Sequence, residues 1–402
     1  MKVVIAPDSF KESLPASEVA AAMGQGVLDV CSNAVVDLCP LADGGEGTVT
    51  ALTAATGGQL LTADVFDPLG RPIRARLGLL GGSSGPGLPG ELGFSAAVAQ
   101  PEDESPPTRR AVVEMSSASG LMLVPPEHRD PLRTTSYGTG QLITEALNAG
   151  AEEIVVGIGG SATCDGGSGA AQALGVRFLD ADGQEMVCGL SGGGLGELSD
   201  IDICQRDERL QRVSIRVACD VTNPLTGPEG AARVYAPQKG ATPEGVETLE
   251  RNLSHLAEVI RRSLGVDVAR LAGAGAAGGL GAGLVAFADA TLEAGVDLIS
   301  EVVHLRRRLT GADLLLTGEG RLDSSSGFGK AAVGAARIAG DCGVPAVCIP
   351  GQFDGDTGIE RLFRSVRPLV RTESAVEQAM RDPAPLLRQA AADTIRDFLR
   401  AT

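Results

Sequence analysis

Lysine is scarce in this 402-residue chain, occurring only at positions 2, 11, 239 and 330 among 34 lysines and arginines. Three of the four stand in turns of small residues: Lys11 in "DSFKES", Lys239 in "PQKGAT" and Lys330 in "GFGKAA". An ammonium is a compact point charge suited to a phosphate or carboxylate, which a planar guanidinium cannot imitate in a tight turn. Lys11 and Lys330 are therefore candidate ligand groups, and Lys239 is open between a ligand role and a structural one. Asp8, Asp43, Glu46, Asp165, Asp220, Glu319 and Asp323 stand in turns that follow apolar runs. Acids so placed can hold a divalent cation or accept a hydroxyl proton, as phosphoryl transfer requires. They can equally cap helices, a role worth about 0.5–2 kcal/mol without any catalysis.

The turn "GIGGSATCDGGSGAA" begins at Gly157 and runs from an apolar strand into an Ala-rich helix. Its free N–H groups and helix start make Gly159, Gly160 and Ser161 a candidate phosphate nest, although a tight connection would ask for the same glycines. "GAGAAGGLGAG", residues 273–283, contains a formal GxGxxG at Gly273, Gly275 and Gly278. A dinucleotide fingerprint should open a βαβ unit, and "VARLA" ahead of it is a weak strand. A glycine loop that caps a helix and lines a nucleotide site fits better, with an NAD(P)-dependent oxidoreductase as the alternative.

These turns need a scaffold that gathers them. "KVVIAPDS", "AVVDLCPLADGG", "EEIVVGIGG" and "ADLLLTGEG" each join an apolar run to a polar turn and then to an Ala-rich helical stretch, and "VPAVCIPG" closes the series. The pattern predicts an α/β fold with parallel sheets, because strands buried on both faces require continuous apolar runs. In such a sheet ligands bind at the carboxyl ends of the strands, where Pro7–Lys11, Ala42–Thr48, Gly159–Gly167 and Thr317–Asp323 would lie. Leu60 to Leu80 alternates and turns at Pro68–Gly70, as a hairpin would, and Gly81–Pro107 reads as an exposed hairpin tip, with a functional lid as the alternative. Long amphipathic helices are expected at Pro243–Leu264 and Ala375–Leu399.

Composition narrows the function. A net charge of −17 argues against nucleic acid as a partner, since phosphate backbones need clustered cations. Small anions are still admitted, provided a few cations, backbone N–H groups and a divalent metal reverse the field locally. No apolar run approaches the roughly 20 residues that span a bilayer, and Lys2 leads into a short strand rather than a signal core, which points to the cytoplasm. The eight cysteines lack a CxxC pair and the three histidines lie far from them, so a zinc site or disulfide framework is not expected.

With these residues in hand, the chain resembles the type I glycerate kinases, ATP-dependent enzymes that phosphorylate D-glycerate. The resemblance is carried by "APDSFKES", "PLADGGEGTV", "TTSYGTGQLI", "GIGGSATCDGG", "ACDVTNPLTGPEGAARVYAPQKGAT", "GAGAAGGLGAG" and "TGEGRLD", in that order along the chain. It implies a flavodoxin-like parallel-sheet domain built from both chain ends, residues 1–62 and 292–402, with an α/β domain of restriction-enzyme-like topology inserted at 63–291. It also implies ATP with Mg²⁺, and an active site in the interdomain cleft. Within that frame Lys11 and Lys330 would neutralise phosphate or carboxylate, with Ser9, Arg71 and Arg321 as further partners for the substrate. The Gly159–Ser161 turn and the loop at Gly275, Gly278 and Gly279 would cradle nucleotide phosphates. Asp43 and Glu46 would hold the metal, and Asp220 or Asp323 would serve as base. A non-catalytic hydroxy-acid binder of the same fold is the remaining rival.

Overall fold

The computed structural model of the chain describes residues 1–11, 13–81, 108–323, 330–355, 358–370 and 380–401. The expected hairpin tip lies, beyond Gly81, outside them. The strands in chain order are β1 (Lys2–Ile5), β2 (Val35–Leu38), β3 (Gln59–Phe66), β4 (Pro72–Leu79), β5 (Arg110–Glu114), β6 (Glu153–Gly157), β7 (Arg177–Leu179) and β8 (Asp200–Asp202). They continue with β9 (Ser214–Ala218), β10 (Thr291–Glu293), β11 (Leu314–Thr317), β12 (Arg321–Leu322), β13 (Ala346–Cys348), β14 (Gln352–Phe353) and β15 (Ser365–Val366).

The chain ends build one five-stranded sheet, ordered β2-β1-β11-β13-β15 with every pairing parallel. This is the flavodoxin-like doubly wound order, and strand order reverses between β1 and β11. The middle of the chain builds a six-stranded sheet, β10-β9-β6-β5-β4-β3. Its first four strands are parallel, and β4 and β3 complete it antiparallel as the expected hairpin. The expected boundaries at 62/63 and 291/292 fall inside β3 and β10, and both strands pair wholly within the six-stranded sheet.

Side chains alternate faces along a strand, so each apolar run feeds two cores. Val3 and Ile5 pack against the helices Ala16–Val30 and Ala384–Ala401, through Val19, Met23, Leu387 and Ile395. Val4 faces the other way, into a cluster that contains Leu52 of helix Thr48–Thr56, Ile299 of helix Gly295–Val302, and Val112 and Val155 of the six-stranded sheet. One layer of helices thus serves both sheets. The far face of the second sheet, including Val113 and Val156, is covered by the helices Tyr137–Asn148 and Ala276–Ala288.

Helix Pro243–Leu264 spans the expected residues: the Thr242 hydroxyl accepts from Gly245 N, Pro243 opens the first turn, and Gly265 at φ 73° ends it. The last helix begins at Ala384, and the residues expected ahead of it at 375–379 lie outside the described set. Among the described residues no helix is long and apolar enough to cross a membrane.

Candidate functional site

The reversal of strand order leaves a gap at the carboxyl ends of β1 and β11, and the loops leaving those strands are tied together across it. Asp8 N donates to Gly318 O at 2.8 Å, and the Thr317 hydroxyl donates to Ala6 O at 2.7 Å. The loop after β13 joins them, with Gly351 N donating to Glu319 O at 2.9 Å and Gln352 N to Gly320 O at 3.0 Å. Gly351 must lack a side chain here, since a Cβ would stand 2.5 Å from Gly320 O. The loops enclose a cavity of about 290 Å³ lined by Asp8, Ser9, Lys11, Asp43, Glu319, Arg321 and Lys330, with Leu369, Val370 and Met380 on an apolar side.

Charge in the cavity is arranged in opposed pairs. Lys11 Nζ lies 3.3 Å from Asp43 Oδ2, and Asp43 raises the lysine's pKa. Lys330 Nζ lies 3.1 Å from Glu319 Oε2 and 3.7 Å from Asp323 Oδ1. Arg321 is engaged by Asp354 at 2.9 Å and stands 3.8 Å from Asp323. The Lys11 side chain is 75% exposed, so its pair contributes little stability, on the scale of about 0–1 kcal/mol. Asp8 is different. It is 6% exposed, accepts from Ser9 N at 2.6 Å, and is pushed up to about 7, first by burial and then by the Asp43 charge.

The second sheet approaches the Asp43 loop from the other side. Gly159 N donates to Gly44 O at 3.2 Å, and a Cβ on Gly159 would stand 2.7 Å from Gly45 Cα. Gly160 is exposed at φ 72°, and half-buried Ser161 accepts from Lys239 Nζ at 2.7 Å. Asp220 follows β9; its Oδ1 accepts from Gly295 N at 2.7 Å at the start of helix Gly295–Val302. Burial, followed by the Asp43 charge, raises it to about 6. The turns at Gly159–Ser161 and Asp220 are thereby brought beside the Asp43 loop.

Other expected residues are placed elsewhere. Arg71 is held in the β3–β4 turn by Asp67 at 2.6 Å and by Leu123 O at 3.0 Å, and it does not line the cavity. Glu46 is exposed and does not line it either, and among the described residues no group of three or more acids, histidines or cysteines forms a metal cluster. Gly275 and Gly278 are packed against backbone: a Cβ would collide with Pro224 O at the first and Thr163 O at the second, while at Gly279 it would stand 2.7 Å from Gly166 Cα. Among the described residues no strand leads directly into this GxGxxG, so the βαβ context of a dinucleotide fingerprint is lacking.

Asp8 and Glu319 belong to the cavity although sequence reasoning gave them no role beyond strand-end acids. Glu114 was passed over altogether. It is buried at the end of β5, accepts from Val49 N at 3.2 Å on the helix that follows the Asp43 loop, and is pushed up to about 7 chiefly by burial. An acid inside the apolar run "AVVEM" was its only signal. Gln352, Leu369 and Met380 had none.

Comparison with known proteins gives the family. The model of the glycerate kinase family matches residues 3–399. A glycerate kinase of Bacillus subtilis is 45% identical over 385 residues, 94% of each chain. A glycerate 2-kinase of Escherichia coli is 48% identical over 359 residues, covering 89% of this chain and 87% of its own. A Salmonella typhimurium LT2 chain, solved as a candidate glycerate kinase 2, superposes with a TM-score of 0.84 at 45% identity, covering 100% of this chain and 98% of that one. The chain belongs to the glycerate kinase family.

Proposed function

We propose that the chain transfers the γ-phosphoryl group of ATP to a hydroxyl of D-glycerate in the cavity where β1 and β11 part. The observation that carries this reading is the convergence of Lys11, Lys330, Asp8, Asp43 and Glu319 on one strand-end cavity of a doubly wound sheet. Phosphoryl transfer asks for alignment and charge neutralisation more than covalent chemistry, and opposed lysines and acids supply both. About 290 Å³ falls just short of the about 300–1,000 Å³ of whole-ligand sites. It suits a small acid and the terminal phosphate, with the rest of the nucleotide reaching toward the Gly159–Ser161 turn. With the two sheets as the two domains, the transfer takes place at the first and the nucleotide extends toward the second.

In this reading the glycerate oxygen attacks the γ-phosphorus, the bond to the β,γ-bridging oxygen breaks, and ADP leaves. The hydroxyl proton passes to Asp8, which suits the base better than Asp220, occupied with Gly295 N, or Asp323, set between Arg321 and Lys330. A proton affinity near neutrality suits a general base. Lys11 and Lys330 neutralise the transferring group, and Ser9 and Arg321 receive the glycerate carboxylate. The donor set fits Mg²⁺, which keeps several waters and takes one or two carboxylates beside substrate phosphates. Asp43 and Glu319, two carboxylates lining the same cavity, would hold it. When bound, the ion supplies charge neutralisation of the phosphates. Eight free cysteines, with Cys188, Cys204 and Cys342 exposed, accord with a reducing cytoplasm.

A coupled assay for ADP release tests the reading, with phosphorus NMR of the product reporting whether the 2- or the 3-hydroxyl is modified. Release that requires both D-glycerate and Mg²⁺ supports the reading; D-glycerate binding without ADP release would leave a non-catalytic hydroxy-acid binder.

A further inference from the structure

Lys239 is the one fully enclosed lysine of the four, 2% exposed. Its Nζ donates to Ser161 Oγ and to Thr163 O, each at 2.7 Å. Among the described residues no carboxylate forms an ion pair with it. Asp165 acts on it from farther away, and that carboxylate already accepts from Ser136 N, Ser136 Oγ, Gly167 N and Gly169 N. A buried ammonium without an ion-pair partner is costly, and a chain of net charge −17 had acids enough to supply one. Burial accordingly lowers the lysine's proton affinity, and its two acceptors, Ser161 Oγ and Thr163 O, fix it as a nitrogen donor directly behind the Gly159–Thr163 turn.

The hydrogen bonding gives that donor a direction. A lysine N–H fills an acceptor site on Ser161 Oγ, which leaves the serine O–H as a donor. Beside it Gly160 is exposed, and a Cβ there would meet only Ser116 Cβ, at 3.4 Å. The Ser116 hydroxyl is buried and has no hydrogen-bond partner among the described residues. Two hydroxyls and an open glycine, backed by a buried lysine, thus meet at the Gly159–Thr163 turn from three separate segments, an arrangement of donors that favours an anion. We infer that Lys239 is a positioning residue: it fixes the Ser161 hydroxyl as a donor toward a phosphate of the bound nucleotide. This rests on the reading of Gly159–Ser161 as the nucleotide-phosphate turn.

The test is a double-mutant cycle on the full chain with Ser161→Ala and Lys239→Met, reading KM for ATP, KM for D-glycerate and Tm. Each single variant should raise KM for ATP about tenfold and leave KM for D-glycerate within twofold. The double variant should match Lys239→Met alone within twofold, because the lysine acts through the serine. Effects that multiply in the double variant, or a Lys239→Met that moves only Tm, would overturn the inference while leaving the turn in nucleotide binding. An unchanged KM for ATP in Ser161→Ala would instead remove the turn from the site, and the inference with it. Should Lys239→Met not fold, Lys239→Gln, which keeps N–H donors, carries the same cycle, with a smaller rise in KM expected.

Discussion

Replacing Asp8 by asparagine should stabilise the ligand-free protein while removing its activity. Asp8 is 6% exposed and its proton affinity is raised from an ordinary 3.8 to about 7. Between those two values the folded chain holds a proton that the unfolded chain releases, so stability falls as pH rises through the window. At about 1.4 kcal/mol for each pH unit, the loss is complete above pH 7 and amounts to about 4 kcal/mol. An asparagine at this position would stay neutral and could still accept from Ser9 N, recovering up to that amount at pH 8. With about 2.1 cal/mol/K of unfolding entropy per residue, each kcal/mol moves Tm by about 1 °C, so a gain of up to about 5 °C is expected in a thermal melt. The same carboxylate must be ionised to take the glycerate proton, so wild-type kcat/KM should rise with pH to a plateau above about 7. Asp8→Asn should lose about 10²–10⁴-fold in kcat and the acid limb with it. A variant that keeps most of its kcat, or that melts below wild type at pH 8, would refute the assignment.

Lys11→Ala should lower kcat/KM about tenfold or more, as expected for a lost charge-assisted contact, and change stability by no more than about 1 kcal/mol because its pair with Asp43 is exposed. Steady-state kinetics and a urea titration check both halves. Gly159→Ala places a methyl 2.7 Å from Gly45 Cα and must push the Asp43 loop away, so a fall of about 10²-fold in kcat/KM is expected from misplacement alone. Leu52→Ala, in the helical layer that serves both sheets, should cost about 2–5 kcal/mol in chemical denaturation and leave KM for both substrates unchanged in the folded fraction.

The strands were legible because parallel strands buried on both faces have little choice but continuous apolar runs, and "KVVI", "EEIVVG" and "ADLLLT" supply them. The meeting of Lys11 with Asp43 followed from the same reading: both leave strand ends, and β1 and β2 are neighbours in the sheet. Asp8, Asp220 and Asp323 look alike in sequence, each an acid after an apolar run. What separates them is burial and partners: Gly295, from a distant segment, for Asp220, and Lys330, seven residues on, for Asp323. Glycine was the least informative signal. Close approach of a phosphate and close approach of another backbone ask for the same missing Cβ, and at Gly275 and Gly278 the neighbour is Pro224 O or Thr163 O. Arg71, by contrast, had its partner Asp67 four residues away, near enough to be read as a turn ion pair.

A crystal structure with Mg²⁺, a non-hydrolysable ATP analogue and D-glycerate measures the central claim most directly. It should show the γ-phosphate and a glycerate hydroxyl between Lys11 and Lys330, with that hydroxyl within hydrogen-bond reach of Asp8. Ligands bound away from the gap between β1 and β11, with Asp8 touching neither, would contradict the account.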